Sequence, residues 1–150
     1  MSEETFKSEL ERALARSDVD ELLAALAGYF RWHEDGSPMD SDHVIDDRIY
    51  EVDDKERSLA IVMLAMDRYE SESFLGLVSA GPLEDIFFME AALSDEFLAR
   101  IEAEATSNAR FRWMLSGMYT SSFRPECTKL VERLTYGVSL EDPLPPRPEI

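Results

Sequence analysis

Between Leu59 and Met66 the chain reads Leu-Ala-Ile-Val-Met-Leu-Ala-Met, with no charge in the run. A helix turns once in about 3.6 residues, so a run of this length points apolar groups in every direction. Such a segment is satisfied only when other elements surround it. This requirement makes it the buried central helix of an all-α fold. Its start is also written in the chain: Asp53 supplies a cap, and Asp54, Lys55 and Glu56 form the first turn.

The rest of the chain supplies amphipathic partners. From Glu3 to Arg16, the residues Phe6, Leu10, Ala13 and Leu14 recur at helical spacing; Ser17 then caps a second helix striped by Val19, Leu22, Leu23, Leu26 and Phe30. These two are expected to pack as a hairpin, the second ending in the aromatic cluster Tyr29-Phe30-Arg31-Trp32-His33, which anchors it to the core. After the central helix comes a shorter one with Phe74, Leu75, Leu77 and Val78, and then Ala80-Gly81-Pro82-Leu83-Glu84-Asp85. Gly81 suits a left-handed helix end, Pro82 suits the first position of a new helix, and Glu84 and Asp85 suit its positive end, so a corner between helices is expected. Ser94 caps a helix through Ser107 with the stripe Phe97, Leu98, Ile101 and Ala105, and with Glu96, Arg100 and Glu104 as an exposed ladder. Asn108 opens a further helix that buries Phe111, Met114, Leu115 and Met118. Pro125 opens the last, which runs to about Tyr136 before Gly137.

The architecture expected is a compact bundle or small stack of about six to eight short helices around the buried one. Residues 1–140 read as a single helical domain and 141–150 as a Pro-rich C-terminal tail carrying Pro143, Pro145, Pro146 and Pro148. Its overlapping P-x-x-P spacing suits an aromatic groove on a partner; the plainer reading is a tail that is disordered or draped on the surface.

Charge narrows the function. The chain has 32 acidic against 15 basic residues, a net charge of −17, which repels nucleic acid phosphate and anionic lipid. No direct nucleic acid or membrane role is expected. Cys127 is the single cysteine, at core spacing with Leu130, Val131 and Leu134, so neither a disulfide nor a zinc-ligand pattern forms. The start has no apolar leader and no run approaches a membrane span, so a cytoplasmic protein is expected.

From His33 to Arg57, ten acidic residues face only Arg48, Lys55 and Arg57. Within this stretch Asp42, His43, Asp46 and Asp47 form one binding candidate, with His43 and Asp46 or Asp47 sharing a face if helical. The zincin pattern fails because Ser37 stands four residues after His33. The calcium-loop pattern that Asp40-Ser41-Asp42 begins fails at Val44. No metal site and no cofactor are therefore assigned. The plainer reading is a solvated acidic face. A second candidate is Arg110, Arg112 and Trp113, residue types that concentrate binding energy at interfaces. Its plainer reading has Trp113 packed on a neighbour and the arginines paired with the chain's own acids.

Asp53 to Arg57, the central helix, the corner from Val78 to Asp85, Phe97 to Glu102 and Phe111-Arg112 together resemble a bacterial domain family of unknown function with an Ala-Gly-Pro-Leu-Glu-Asp helix junction. The resemblance spans roughly residues 44–119. It implies a bacterial source and a helical fold, and no activity.

There is no G-x-S-x-G, P-loop or dinucleotide fingerprint, and His33 and His43 are the only imidazoles. The balance points away from an enzyme and toward a protein-protein interaction module, inhibitor- or immunity-like, that presents carboxylates to a basic partner. Two alternatives stand beside it. One is a small metal-assisted hydrolase or metal-binding protein using His33, His43 and nearby carboxylates; the other is a structural homodimer joined through Trp113 and the Met-rich faces.

Overall fold

The computed structural model describes residues 6–36, 55–88, 93–121 and 123–147. In chain order the helices are α1 (Glu9–Leu14), α2 (Val19–Asp35), α3 (Lys55–Arg68), α4 (Glu72–Val78), a π-helical turn over Ser79–Leu83, α5 (Glu84–Phe88), α6 (Asp95–Ser107), α7 (Ala109–Leu115) and α8 (Pro125–Leu134). The fold is an all-α bundle, with no strand among the described residues. The uncharged run lies at its centre: Ile61 through Met66 are completely buried in α3, and Leu59 and Ala60 nearly so. α1, α2, α4, the π turn and α5 all pack on α3, while α6, α7 and α8 pack on one another and α7 also meets the π turn.

Several expected starts are present. Ser94 Oγ accepts from the Phe97 amide at 3.1 Å, Asn108 Oδ1 from the Phe111 amide at 3.1 Å, and Pro125 occupies the first turn of α8. Each satisfies or removes an amide that the helix itself leaves without an acceptor. The cap expected at Ser17 is absent. Asp18 holds that position instead, and its carboxylate serves Arg16, whose Nε donates to it at 2.8 Å. The hairpin of α1 and α2 is also replaced, since each lies chiefly against α3. Leu10 and Ala13 of α1 are buried, and α3 needs apolar cover on all sides, so both helices turn their apolar faces to it. The cap expected at Asp53 lies outside the described residues.

The Gly81-Pro82 corner differs as well. The chain stays helical from Glu72 to Phe88 and widens into a π turn at Ser79–Leu83, and Gly81 is not left-handed. Pro82 has no N–H to donate, and a wider turn absorbs that loss without ending the helix. The Glu84 amide reaches back to the Ser79 and Gly81 carbonyls, and Ser79 Oγ donates to the Leu75 carbonyl at 3.0 Å. The Glu84 side chain does not cap this helix either; it accepts from the Tyr119 amide at 3.3 Å.

The aromatic end of α2 does anchor the helix. Phe74, fully buried, is ringed by Tyr29, Phe30, Tyr69 and His33 at centroid distances of 5.6, 5.1, 5.0 and 5.9 Å. Edge-on contacts of this kind lock the joint between α2 and α4. Trp32 alone turns outward, and Gly36 closes α2 with φ 73°.

The segment after α8 folds back as a strap. Leu140 presses against Gly117, where a Cβ would stand 2.6 Å from Leu140 Cδ1. Trp113 Nε1 donates to the Asp142 carbonyl at 3.0 Å, Glu72 accepts from the Leu144 amide at 3.1 Å, and Arg110 Nε donates to the Pro145 carbonyl at 2.8 Å. The strap draws apolar Leu140 and Leu144 onto the core, so this part of the tail is tied down at several points.

Candidate functional site

The distribution of charge is the feature most relevant to function. Arg16, Arg57, Arg100, Arg110 and Arg147 all pair with the chain's own carboxylates: Asp18, Asp18 with Glu21, Glu9 with Glu56, Glu70, and Glu70 again. Arg12, Arg68, Arg124 and Arg133 pair with Glu9, Asp67, Glu126 and Glu102. Meanwhile Asp20, Glu34, Asp95, Glu96 and Glu132 are exposed, with no ion-pair partner among the described residues. Pairing within the chain thus engages nine arginines, some at helix seams and some at the surface, and leaves other carboxylates facing water.

The seam between α1, α3 and α6 shows how this works. Arg100 donates to Glu9 through Nε at 3.1 Å and Nη2 at 2.7 Å, and to Glu56 through Nη1 at 2.7 Å. Its pKa is raised first by the hydrogen bonds to Glu9, which outweigh burial, and further by Glu56. For Glu56 burial pushes the carboxyl up, but the hydrogen bond and charge of Arg100, with Arg12 and Lys55, hold it below the usual range. Asp18 is lowered by the hydrogen bond from Arg16, against its burial, with the charges of Arg16 and Arg57 adding to the effect. The exposed ladder expected from Glu96, Arg100 and Glu104 is therefore replaced by contacts between helices. Glu104 is buried; it caps the Glu9 amide at the start of α1 and accepts from Asn108 Nδ2, both at 2.8 Å.

Of the candidate residues, Asp42, His43, Asp46 and Asp47 lie outside the described residues. Their near end is described: His33 Nε2 lies 3.1 Å from Ser73 Oγ, and Glu34 and Asp35 are exposed. Among the described residues no three His, Cys, Asp or Glu gather closely enough to hold a metal ion. Arg110 and Trp113, whose plainer reading is internal packing and pairing, are only 2% and 1% exposed. Arg110 donates to the Met66 carbonyl at 2.9 Å and to Glu70 at 3.0 Å, and the strap covers it. Arg112 is half-buried and donates to the carbonyls of Ala105 and Thr106. The sequence reading missed Trp32, which is 42% exposed and stacks on Tyr29 at 5.9 Å with 12° between the planes. The available signal was its place on the helix, three residues after Tyr29 and one beside His33 and Glu34.

The described residues form an all-α bundle in a chain of net charge −17, and this defines an acidic helical domain. The chain belongs to the family of unknown function DUF6869, whose model matches residues 35–137. Neither a curated protein nor a solved structure matches the chain. No helix among the described residues is long and apolar enough to cross a membrane.

Proposed function

We propose that the protein is a non-catalytic interaction module that captures a basic protein partner. The observation that carries this reading is the pairing of the arginines within the chain, which leaves unpaired carboxylates on the outside of a chain with net charge −17. A surface of one sign steers an oppositely charged partner and makes association fast and salt-sensitive. The residues assigned to capture are Asp42, His43, Asp46 and Asp47, which follow α2 in the chain, together with the exposed Trp32 of α2. Rigid aromatic groups of this type hold a disproportionate share of interface energy, and a Trp face also attracts Arg and Lys.

The test is capture from lysate of the source cell at low and raised salt. The wild-type protein is compared with the triple charge reversal of Asp42, Asp46 and Asp47 to Lys and with Trp32→Ala. A basic protein is expected to be retained at low salt and shed at high salt. The triple variant should lose it at an unchanged melting temperature, and Trp32→Ala should weaken retention at every salt concentration. Undiminished capture by the triple variant sinks the reading.

A further inference from the structure

We propose that the groove on α7 that holds the strap is a docking site for a proline-rich segment of a partner protein, one that carries a basic residue, and that the chain's own tail occupies it as a tethered stand-in. The strap runs against α7 in the opposite direction: Trp113 Nε1 donates to the Asp142 carbonyl at 3.0 Å and Arg110 Nε to the Pro145 carbonyl at 2.8 Å. This proposal is independent of capture through Asp42, His43, Asp46 and Asp47.

The two donors read backbone. Asp142 and Pro145 are three residues apart, and a polyproline helix turns once in three residues, so it presents such carbonyls on one side. Arg110 and Trp113, three apart on a helix, share a face that matches this repeat. Proline at 143, 145 and 146 fixes φ and holds each preceding residue extended, so such a segment meets the groove with little chain entropy left to lose. An indole N–H beside a proline-rich chain is the arrangement by which aromatic-lined grooves hold these ligands.

Side chains are read at the two ends. Leu140 rests on Gly117, where a Cβ would stand 2.6 Å from its Cδ1, so the shelf admits a leucine only because that glycine has no side chain. At the far end Arg147 Nε donates to Glu70 at 2.6 Å. Glu72 accepts from the Leu144 amide at 3.1 Å and has no ion-pair partner among the described residues. With Arg110 set against Glu70, the groove keeps the charge of one carboxylate and favours a cation on its ligand. The pattern read is Leu-x-x-Pro-x-Pro-x-Arg. The tail supplies it with the wrong overall sign, because Glu141 and Asp142 against Arg147 give residues 138–147 a net charge of −1 beside a groove that is itself negative.

The strap is also held in a way that permits exchange. No residue from 138 to 147 is fully buried, the bonds of Leu144 and Arg147 face water, and the strap joins α8 through Tyr136, which is 91% exposed, and the left-handed Gly137. Segments with few buried apolar contacts and exposed hydrogen bonds open at low cost. Once the strap leaves, Trp113 and Arg110 are bare until another segment covers them.

The test uses the full chain, labelled with ¹⁵N, and three unlabelled peptides: residues 138–147 as they stand, the same with Glu141→Lys, and the Lys form with every proline replaced by Ala. The readouts are the Trp113 indole N–H and the Leu144 amide of the labelled chain, which moves to its free position on displacement. The Lys peptide is expected to displace the strap saturably, the tail's own sequence to do so more weakly at low salt, and the Ala form to leave both signals unmoved. A tethered strap competes at an effective concentration on the order of millimolar, so loosening it favours the peptide. Arg147→Ala in the chain, at an exposed position, should tighten the Lys peptide about threefold or more. Leu144→Ala, which loosens the strap at another contact, should act in the same direction. No displacement by the Lys peptide in any of these chains, an affinity unchanged by both substitutions, or equal binding of the Ala form overturns the proposal. Binding of the tail's own sequence as tightly as the Lys form would give the groove to a second copy of the chain and overturns it as well.

Discussion

Arg100 and Arg110 tie helices together in opposite ways. Arg100 sits between α1, α3 and α6, about a quarter exposed, and answers two carboxylates. Arg110 is buried to 2% between the end of α3 and the strap, and it answers mostly neutral carbonyls, those of Met66 and Pro145, with only exposed Glu70 as its counter-charge. The contrast shows that a guanidinium need not be paired charge for charge to hold a fold. At the Arg100 seam the binding is electrostatic and open to screening. At the Arg110 seam a buried guanidinium donates to the Met66, Tyr69 and Pro145 carbonyls and to Glu70, in surroundings where such bonds are stronger than in water.

Breaking each seam should separate these modes. Arg110→Met keeps the volume but leaves the Met66 and Pro145 carbonyls without their donor, at about 1–3 kcal/mol for each. A loss of about 2–5 kcal/mol in urea unfolding is expected, unchanged by salt; a loss below about 1 kcal/mol would show that the carbonyls find water instead. Arg100→Gln should cost less, about 1–2 kcal/mol, because the pairs are partly exposed. Its deficit should shrink at about 1 M salt, where the screening length is about 3 Å. Equal salt dependence of the two variants would erase the comparison. Trp113→Phe removes the hydrogen bond to the Asp142 carbonyl, for about 1 kcal/mol, adds the cost of the void left by the smaller ring, and should speed proteolytic cleavage after Leu140 while leaving the α1 seam intact.

The smallest effect sharpens the comparison through pH. Asp18 and Glu56 have folded pKa values below their ordinary 3.8 and 4.5, so the stability they contribute is full above those ordinary values. It is lost as pH falls through the lowered folded values. Replacing Arg100 removes the largest of the influences that hold Glu56 low. The gap between wild type and Arg100→Gln should therefore be widest at neutral pH and narrow as pH falls below the ordinary 4.5 of Glu56 and through its lowered folded value. Constant separation across that range would mean that the Arg100 contribution does not depend on ionised Glu56.

Local chemistry made much of the fold legible. The run Leu59 to Met66 required a surrounded helix, and Ser94, Asn108 and Pro125 marked starts that need only neighbouring residues to be read. What escaped was the set of partners brought from far along the chain. Arg100 looked like a rung beside Glu96 and Glu104 because i,i+4 spacing is visible, whereas Glu9 is 91 residues away. That Trp113 packs and Arg110 pairs with the chain's own acids was legible as the plainer reading; what escaped was the cover from the strap after Leu140, which composition marks only as rich in proline. Gly81 suggested a left-handed stop because that is its commonest use, but packing on α3 favoured a continuous helix with a wide turn. The acidic stretch was legible as charge. The Trp32 surface beside it was not, since exposure of an aromatic depends on which face α3 and α4 leave bare.

The capped start of α1 has a consequence for how the protein can be cut. Glu104 of α6 holds the Glu9 amide, and Glu9 in turn holds Arg100, so a helix outside the residues matched to DUF6869 is wired into one inside them. The stretch that defines kinship, 35–137, also lacks nearly all of α2 and the strap. Excised alone, it would present one flank of Leu59–Met66 to solvent and leave Arg100 without Glu9 and Arg110 without the Pro145 carbonyl. Transplanting that stretch between relatives therefore means carrying its flanking helices and its strap along with it.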